Sequence, residues 1–389
     1  MPKDNNYHCA RTYHEVTFYQ DGLYRPCTEM FPASSGQRIT EHTLDDYRSS
    51  DWLKALQQDL DKGIKRPECA ECIDREQEGI GWRRSGKPEG IDHHKKTLDN
   101  LMIWLGNLCN AECSMCNPTF SSRIDARLKK NPLPDIDIRG DAWLRPNLAD
   151  QSGGQSQWWR DSIGRSRLVE MIALADRVKL LGGEPMLMQG VWEILDIVDQ
   201  VDPSKTVSIT TNASHLTDDH MRSLSRFKNL SINISVDAIG QTFEWIRHGL
   251  RWETVRSNIP KIMSLSDDVK INATLSAHNI MALEETMDWF DTTGLEYGFW
   301  TVTRPYVVNI RNLPRNLLLA RHEMVRSRIN TAQTMYKKKM LMNLSLAISR
   351  ALKEQEADYS NDALIKYTTY LNSFRPNKMD VIGWIVVDN

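Results

Sequence analysis

NLMIWLGNLCNAECSMCNP, residues 100–118, joins a near-continuous apolar run to a loop that holds three of the chain's seven cysteines. The apolar run lacks the strict alternation of a half-wetted strand. It reads as a strand buried on both faces, as a parallel sheet requires. The loop leaving it carries Cys109, Cys113 and Cys116 in the spacing C-x3-C-x2-C. Soft thiolates favour zinc or iron–sulfur over calcium or magnesium. Three thiolates are one short of a closed tetrahedral site. That implies either a distant fourth ligand to zinc or an iron–sulfur cluster with one iron left open.

The same texture recurs downstream. NLMIWLG (100–106), RVKLLGG (177–183), VSITTNA (207–213), LSINISVDA (230–238), VKINATLS (269–276) and YGFWTVT (297–303) all read as strands rich in branched residues. Helical patterns such as MQGVWEILDIVDQV (188–201) and LEETMDWFDTTG (283–294) alternate with them. Six such units predict an α/β fold, a partial (β/α)6 parallel barrel with its site at the C-terminal strand ends. Residues 98–310 form this core in our reading, and residues 311–389 form a C-terminal helical extension. The stretch 117–165 is rich in Pro, Gly, Asp and Trp and reads as a long loop. Its Trp143, Trp158 and Trp159 either cover core or line a binding surface.

Residues 1–97 form a separate, small, cysteine-rich α+β domain in this reading. HEVTFYQ (14–20), Asp21-Gly22 and LYRPC (23–27) predict a hairpin with a type I′ turn. SSDWLKALQQDLDKGI (49–64) predicts a helix capped by Ser49, Ser50 or Asp51 and ended by Gly63. It delivers the chain to PECAEC, where Cys69 and Cys72 stand as C-x2-C. With Cys9 and Cys27 they make four thiolates, enough for a closed zinc or [4Fe–4S] site. GIGWRRSGKPEGIDHHKK (79–96), containing Trp82 and His93-His94, reads as a solvated basic linker.

Composition narrows the function. A net charge of −2 with 26% charged residues gives no overall field for nucleic acid or an anionic membrane. A nucleic-acid partner is therefore not expected, although the linker and YKKKM (336–340) are locally basic. The opening MPKDNNYHCARTYHE has no apolar signal core, and no run approaches the ~18 apolar residues of a membrane span. A cytoplasmic protein with metal or redox thiols, rather than a disulfide framework, is expected.

Four motifs in order resemble the radical S-adenosylmethionine (radical SAM) enzymes. They are Cys109-x3-Cys113-x2-Cys116 after a strand, LLGGEP at 180–185, ITTNA at 209–213 and ISVDA at 234–238, followed by FEWIRHG at 243–249. Ala213 stands where the family usually has glycine. The resemblance implies a [4Fe–4S] cluster on Cys109, Cys113 and Cys116, with its open iron taken by S-adenosyl-L-methionine. It implies that Gly182, Gly183 and Glu184 bind the methionyl end of that cofactor. Asn212, Ser235 and Asp237 would lie on the ribose side, and Met115 would pack near the adenine. The activity implied is reductive cleavage to a 5′-deoxyadenosyl radical, which abstracts hydrogen from a substrate. Arg304 and Tyr306, near a strand end, read as structural rather than substrate-binding.

The amino-terminal segment resembles the cluster-binding part of SPASM or twitch domains, placed before the core rather than after it. That resemblance implies a second [4Fe–4S] cluster on Cys9, Cys27, Cys69 and Cys72, assisting electron transfer. A flavodoxin or ferredoxin reductant and a peptide or protein substrate are then expected. The alternatives are a radical dehydrogenase of a small metabolite and a metal-binding module without catalysis.

Overall fold

A computed structural model describes residues 7–30, 33–77, 96–136, 144, 157–355 and 360–386. Trp82, His93, His94 and Trp143 lie outside the described residues, as does nearly all of the 79–96 linker. Among the described residues there are nine strands: β1 (Glu15–Phe18), β2 (Leu98–Trp104), β3 (Glu112–Cys113), β4 (Ala175–Leu181), β5 (Thr206–Thr211), β6 (Leu230–Ser235), β7 (Arg247–His248), β8 (Asp268–Leu275) and β9 (Glu296–Thr301). Seven form one open sheet in the order β1-β2-β4-β5-β6-β8-β9, and β3 pairs with β7. The registers Glu15↔Asn100, Leu101↔Val178, Val178↔Val207 and Ile271↔Tyr297 are all parallel. The fold is α/β, and the six strands read from the sequence are all present.

The seventh strand was not expected in this sheet. β1 was read as a hairpin arm in a separate domain, but it runs parallel to β2. Its four residues are all buried, which a two-stranded hairpin does not achieve alone. The hairpin itself shrinks to one bridge, Thr17↔Arg25. At its turn Asp21 is drawn onto Arg25, with Nη1 and Nη2 donating to the carboxylate at 2.9 and 2.7 Å.

Contacts divide the chain into two compact units, Met1–Gly106 with Leu148–Ile209 and Asp218–Ser231, and Asn107–Asn147 with Thr210–Thr217 and Ile232–Asn389. This division differs from the boundaries read at 97 and 310. In the first unit the helix Asp51–Asp61 forms where the sequence put it. The Ser50 side chain caps Leu53 N–H, and Leu53, Leu56 and Leu60 are buried along one face. Gly63 follows in the left-handed conformation, φ +73°, which glycine adopts without Cβ strain. Trp158 and Trp159 are core residues here. The Trp158 indole donates to Tyr19 C=O at 3.1 Å, and Trp159 donates to Glu193 at 2.9 Å.

In the second unit the stretch read as one long loop contains a helix, Ser122–Lys130. Only Ile124 and Leu128 are buried on it, a spacing of one turn that is too sparse to stand out among six polar neighbours. Ser121 caps it through Ile124 N–H. The extension forms the helices Arg315–Thr331, Met335–Glu354, Asp362–Asn372 and Val381–Val386. Lys337 of the basic YKKKM run is paired with Asp291 at 2.6 Å. Among the described residues no helix is long and apolar enough to cross a membrane.

Candidate functional site

All seven cysteines are present as thiols, without a disulfide. Cys109, Cys113 and Cys116 share one loop of the second unit. Three backbone devices shape it. Ala111 N–H points at Cys109 Sγ at 3.4 Å, Cys116 N–H bonds Cys113 C=O at 3.1 Å, and β3 pairs Cys113 with Arg247 of β7. Burial pushes the Cys116 thiol up, and the charges of Cys113 and Cys109 add to that rise. Burial also raises Cys113, against the opposing pull of Arg247 and Arg375. The Arg247 Nη1 stands 3.9 Å from Cys113 Sγ. A buried thiol beside a guanidinium is a site where a thiolate ligand is stabilised by charge.

Arg247 is itself held by Asp237, Nε to Oδ2 at 2.8 Å. The other Asp237 oxygen accepts Thr274 N–H at 2.7 Å. Asp237 is 1% exposed, so its carboxylate is committed to shaping this corner. Ser235, two residues earlier at the end of β6, is half-buried. Asn212 is the hub of a turn. It accepts from Ser214 N–H at 2.9 Å and donates to Asn110 Oδ1 at 2.9 Å, and Asn110 donates to Ser214 Oγ at 2.8 Å. Asn110 follows Cys109, so Asn212 ties a strand end to the cysteine loop. Met115 lies half-buried between Ser114 and Cys116.

Gly182, Gly183 and Glu184 belong to the first unit. A Cβ on Gly182 would meet the Met188 thiomethyl at 2.7 Å. The backbone there has φ +155°, a conformation that favours glycine. Gly183 N–H donates to Gly106 C=O at 3.0 Å. Glu184 is buried and its Oε1 accepts Met186 N–H at 3.1 Å, capping the short turn Pro185–Leu187.

Cys9, Cys27, Cys69 and Cys72, spread over more than sixty residues of sequence, line one cavity in the first unit with Arg11 and Met30. Met30 Sδ is 3.9 Å from Cys69 Sγ. Burial raises the Cys27 thiol well above its ordinary value, and the Cys9 charge raises it further while Arg11 opposes. Four sulfurs on one cavity suit a closed four-thiolate group. Among the described residues no three His, Cys, Asp or Glu side chains are gathered as a single metal ion would require.

Sequence reasoning named the cysteines and the strand-end residues but not their supports. Arg247 lay within the quoted FEWIRHG. His278, Tyr367 and Arg375 carry no local signal, because they reach the cysteine loop only through the fold, and Asn110, inside the loop, shows its role only through its pairing with Asn212. Arg304 is exposed, and Tyr306 stacks against Arg311 at 4.6 Å.

Residues 105–290 match the Radical SAM superfamily. Among curated proteins, a GTP 3′,8-cyclase from a Synechocystis species is 26% identical over 187 residues, 48% of this chain and 48% of that protein. A GTP 3′,8-cyclase from Peptoclostridium acidaminophilum is 28% identical over 192 residues, 48% of this chain and 49% of that protein. The chain thus spans about half the length of the curated relatives it matches. Among solved structures, SuiB of Streptococcus suis bound to S-adenosylmethionine aligns at 14% identity and a TM-score of 0.41, over 73% of this chain and 55% of that one.

Proposed function

With residues 105–290 forming a radical SAM domain, we propose that the chain is an enzyme that cleaves S-adenosyl-L-methionine reductively and abstracts hydrogen from a peptide or protein. The [4Fe–4S] cluster and cofactor, when bound, supply the 5′-deoxyadenosyl radical. Cys109, Cys113 and Cys116 hold that cluster in this reading. The observation that carries it is the loop itself, with three thiols within eight residues and a guanidinium 3.9 Å from Cys113 Sγ. Arg247, fixed by Asp237, offsets thiolate charge there. Gly182, Gly183 and Glu184 bind the methionyl end in this reading, as the family resemblance implies. Asn212, Ser235 and Asp237 are the ribose-side candidates in this reading, Asp237 by way of the corner it shapes, with Met115 near the adenine.

The cavity shared by Cys9, Cys27, Cys69 and Cys72 supports a second, fully thiolate-ligated [4Fe–4S] cluster of twitch or SPASM type. A cluster without an open iron relays an electron rather than binding substrate. A flavodoxin or ferredoxin is the reductant in this reading, in a reducing cytoplasm where thiols persist. A small metabolite oxidised by the same radical is the second reading. The curated relatives, whose names give GTP as their substrate, favour including a purine nucleotide among such metabolites.

Anaerobic reconstitution tests the proposal. About eight iron per chain, two cubanes' worth, with 5′-deoxyadenosine formed after reduction, supports both clusters. About four iron with cleavage removes the second cluster. No iron and no cleavage sinks the enzyme reading. Deuterium transfer into 5′-deoxyadenosine from labelled peptide, metabolite or nucleotide pools then identifies the substrate class.

A further inference from the structure

The extension after residue 360 grips the cysteine loop on both sides of Cys113. Tyr367 OH donates to Ser114 C=O at 3.0 Å. Arg375 Nη2 donates to Glu112 C=O at 2.8 Å. His278 bridges the two, with Nδ1 3.1 Å from Ser114 Oγ and Nε2 3.0 Å from Thr368 Oγ1. Trp245 closes the corner. The Arg375 guanidinium lies 4.2 Å from its ring centroid, and its indole N–H donates to Asn372 at 2.9 Å.

Arg375 and Arg247 differ in one respect. Arg247 has the Asp237 carboxylate at 2.8 Å. Arg375 is 3% exposed, and among the described residues no carboxylate pairs with it. Its Nη1 is buried without a hydrogen-bond partner. Burial lowers its pKa only to about 10, so it stays cationic at neutral pH. Cys113 and Glu112 favour its charged form, but with no carboxylate in an ion pair with it an anion placed beside it would complete the site. Three thiolates around a cluster bring net negative charge, and that charge grows by one when the cluster takes an electron.

We propose that Arg375, supplied by the C-terminal extension, is the counter-charge of the group held by Cys109, Cys113 and Cys116. It is a positioning residue that raises the cluster's reduction potential by stabilising the reduced, more negative state. This rests on the cluster assignment above. Tyr367 fixes the loop on the other side of Cys113 and carries no charge, which separates the two contributions.

The test is an electron-paramagnetic-resonance redox titration of the reconstituted full chain with dithionite and mediators. It follows the signal that added S-adenosyl-L-methionine perturbs. Arg375→Gln is expected to lower the reduced-to-oxidised ratio at fixed potential at least tenfold, a shift of ~59 mV for one electron. Arg375→Lys, which keeps the charge, is expected to stay within about threefold of the parent. Tyr367→Phe is expected to leave the potential in place. An unmoved potential in Arg375→Gln at full iron content overturns the proposal, as does an equal shift in Tyr367→Phe. Should Arg375→Gln fail to fold, a tenfold shift in Arg375→Lys overturns it instead. A parent chain with no signal that responds to S-adenosyl-L-methionine sinks the cluster assignment, a failure distinct from these.

Discussion

The two cysteine sets reach their geometry by opposite routes. Cys109, Cys113 and Cys116 sit within one eight-residue loop, and their mutual approach is written in local spacing and one β3–β7 pair. Cys9, Cys27, Cys69 and Cys72 meet only because the segments 9–12, 26–30 and 68–72 fold together around one cavity. Their surroundings differ as well. Cys113 has the Arg247 guanidinium at 3.9 Å, whereas Arg11 lines the four-cysteine cavity together with Met30, whose Sδ lies 3.9 Å from Cys69. A local loop can wait for its cofactor inside a formed fold. A cavity built from distant segments depends on the packing of the elements that carry them.

The largest effect should come from deleting one sulfur in each set. Cys113→Ala is expected to abolish S-adenosyl-L-methionine cleavage, read as 5′-deoxyadenosine. Cys72→Ala is expected to keep measurable cleavage while substrate turnover falls, with about half the iron lost. Equal cleavage by the two variants would erase the distinction between the sets.

Packing offers the next test. Leu56 is fully buried on the helix that leads to Cys69 and Cys72. Leu56→Ala should cost about 2–5 kcal/mol by leaving a cavity, measured by denaturant unfolding. Iron should be lost first from the four-cysteine site, because this helix belongs to the same compact unit and runs into the segment that carries Cys69 and Cys72. Loss of cleavage before loss of that iron would contradict the asymmetry.

The loop of three cysteines has its own sensitive point in His278. Burial first, and Arg375 second, push its pKa down from 6.5 to about 3. The imidazole is neutral in the folded chain but binds a proton near pH 6.5 once unfolded. The unfolded state therefore holds more protons between those values, so stability is full above pH 6.5 and falls as pH drops toward 3. The slope is at most ~1.4 kcal/mol per pH unit. His278→Gln should flatten the acid dependence of the denaturation midpoint between pH 7 and pH 5. An unchanged slope would show that His278 is not the group responsible.

What the sequence disclosed follows the same division. The six core strands were legible because each is an apolar run bounded by turn residues, and the helix Asp51–Asp61 because a cap, three leucines and a glycine mark it. The cysteine loop was legible for the same local reason. β1 was misassigned because Asp21-Gly22 is a genuine turn signal. The choice between hairpin and parallel pairing depends on β2, some eighty residues away. The helix Ser122–Lys130 was missed because two buried residues in a charged stretch give little period. Arg375, Tyr367 and Asn110 were invisible for a different reason. Nothing in their neighbours says that the helix Asp362–Asn372 and the turn after it return to residues 112–114, or that the asparagine beside Cys109 meets Asn212.

Ala213 gives the smallest effect and the finest test of local coding at this site. It holds a left-handed φ of +58°, where an alanine costs roughly 1–2 kcal/mol relative to a relaxed backbone. Glycine would relieve that strain. It would also lose a buried methyl, worth ~0.8 kcal/mol, since Ala213 is 1% exposed, and its freer unfolded chain would cost roughly 0.4–1 kcal/mol more. These opposing effects nearly cancel, so Ala213→Gly should change unfolding free energy by less than about 1 kcal/mol. The left-handed turn is also held from outside the residue. Ala213 N–H donates to Thr211 Oγ1 at 3.0 Å and Asn258 donates to Ala213 C=O at 2.9 Å. A stabilisation well above that bound would mean the methyl is not well packed and the turn is strained. A loss well above it would mean the methyl is a packing element of the Asn212 turn, and that the alanine is there for the cysteine loop it supports.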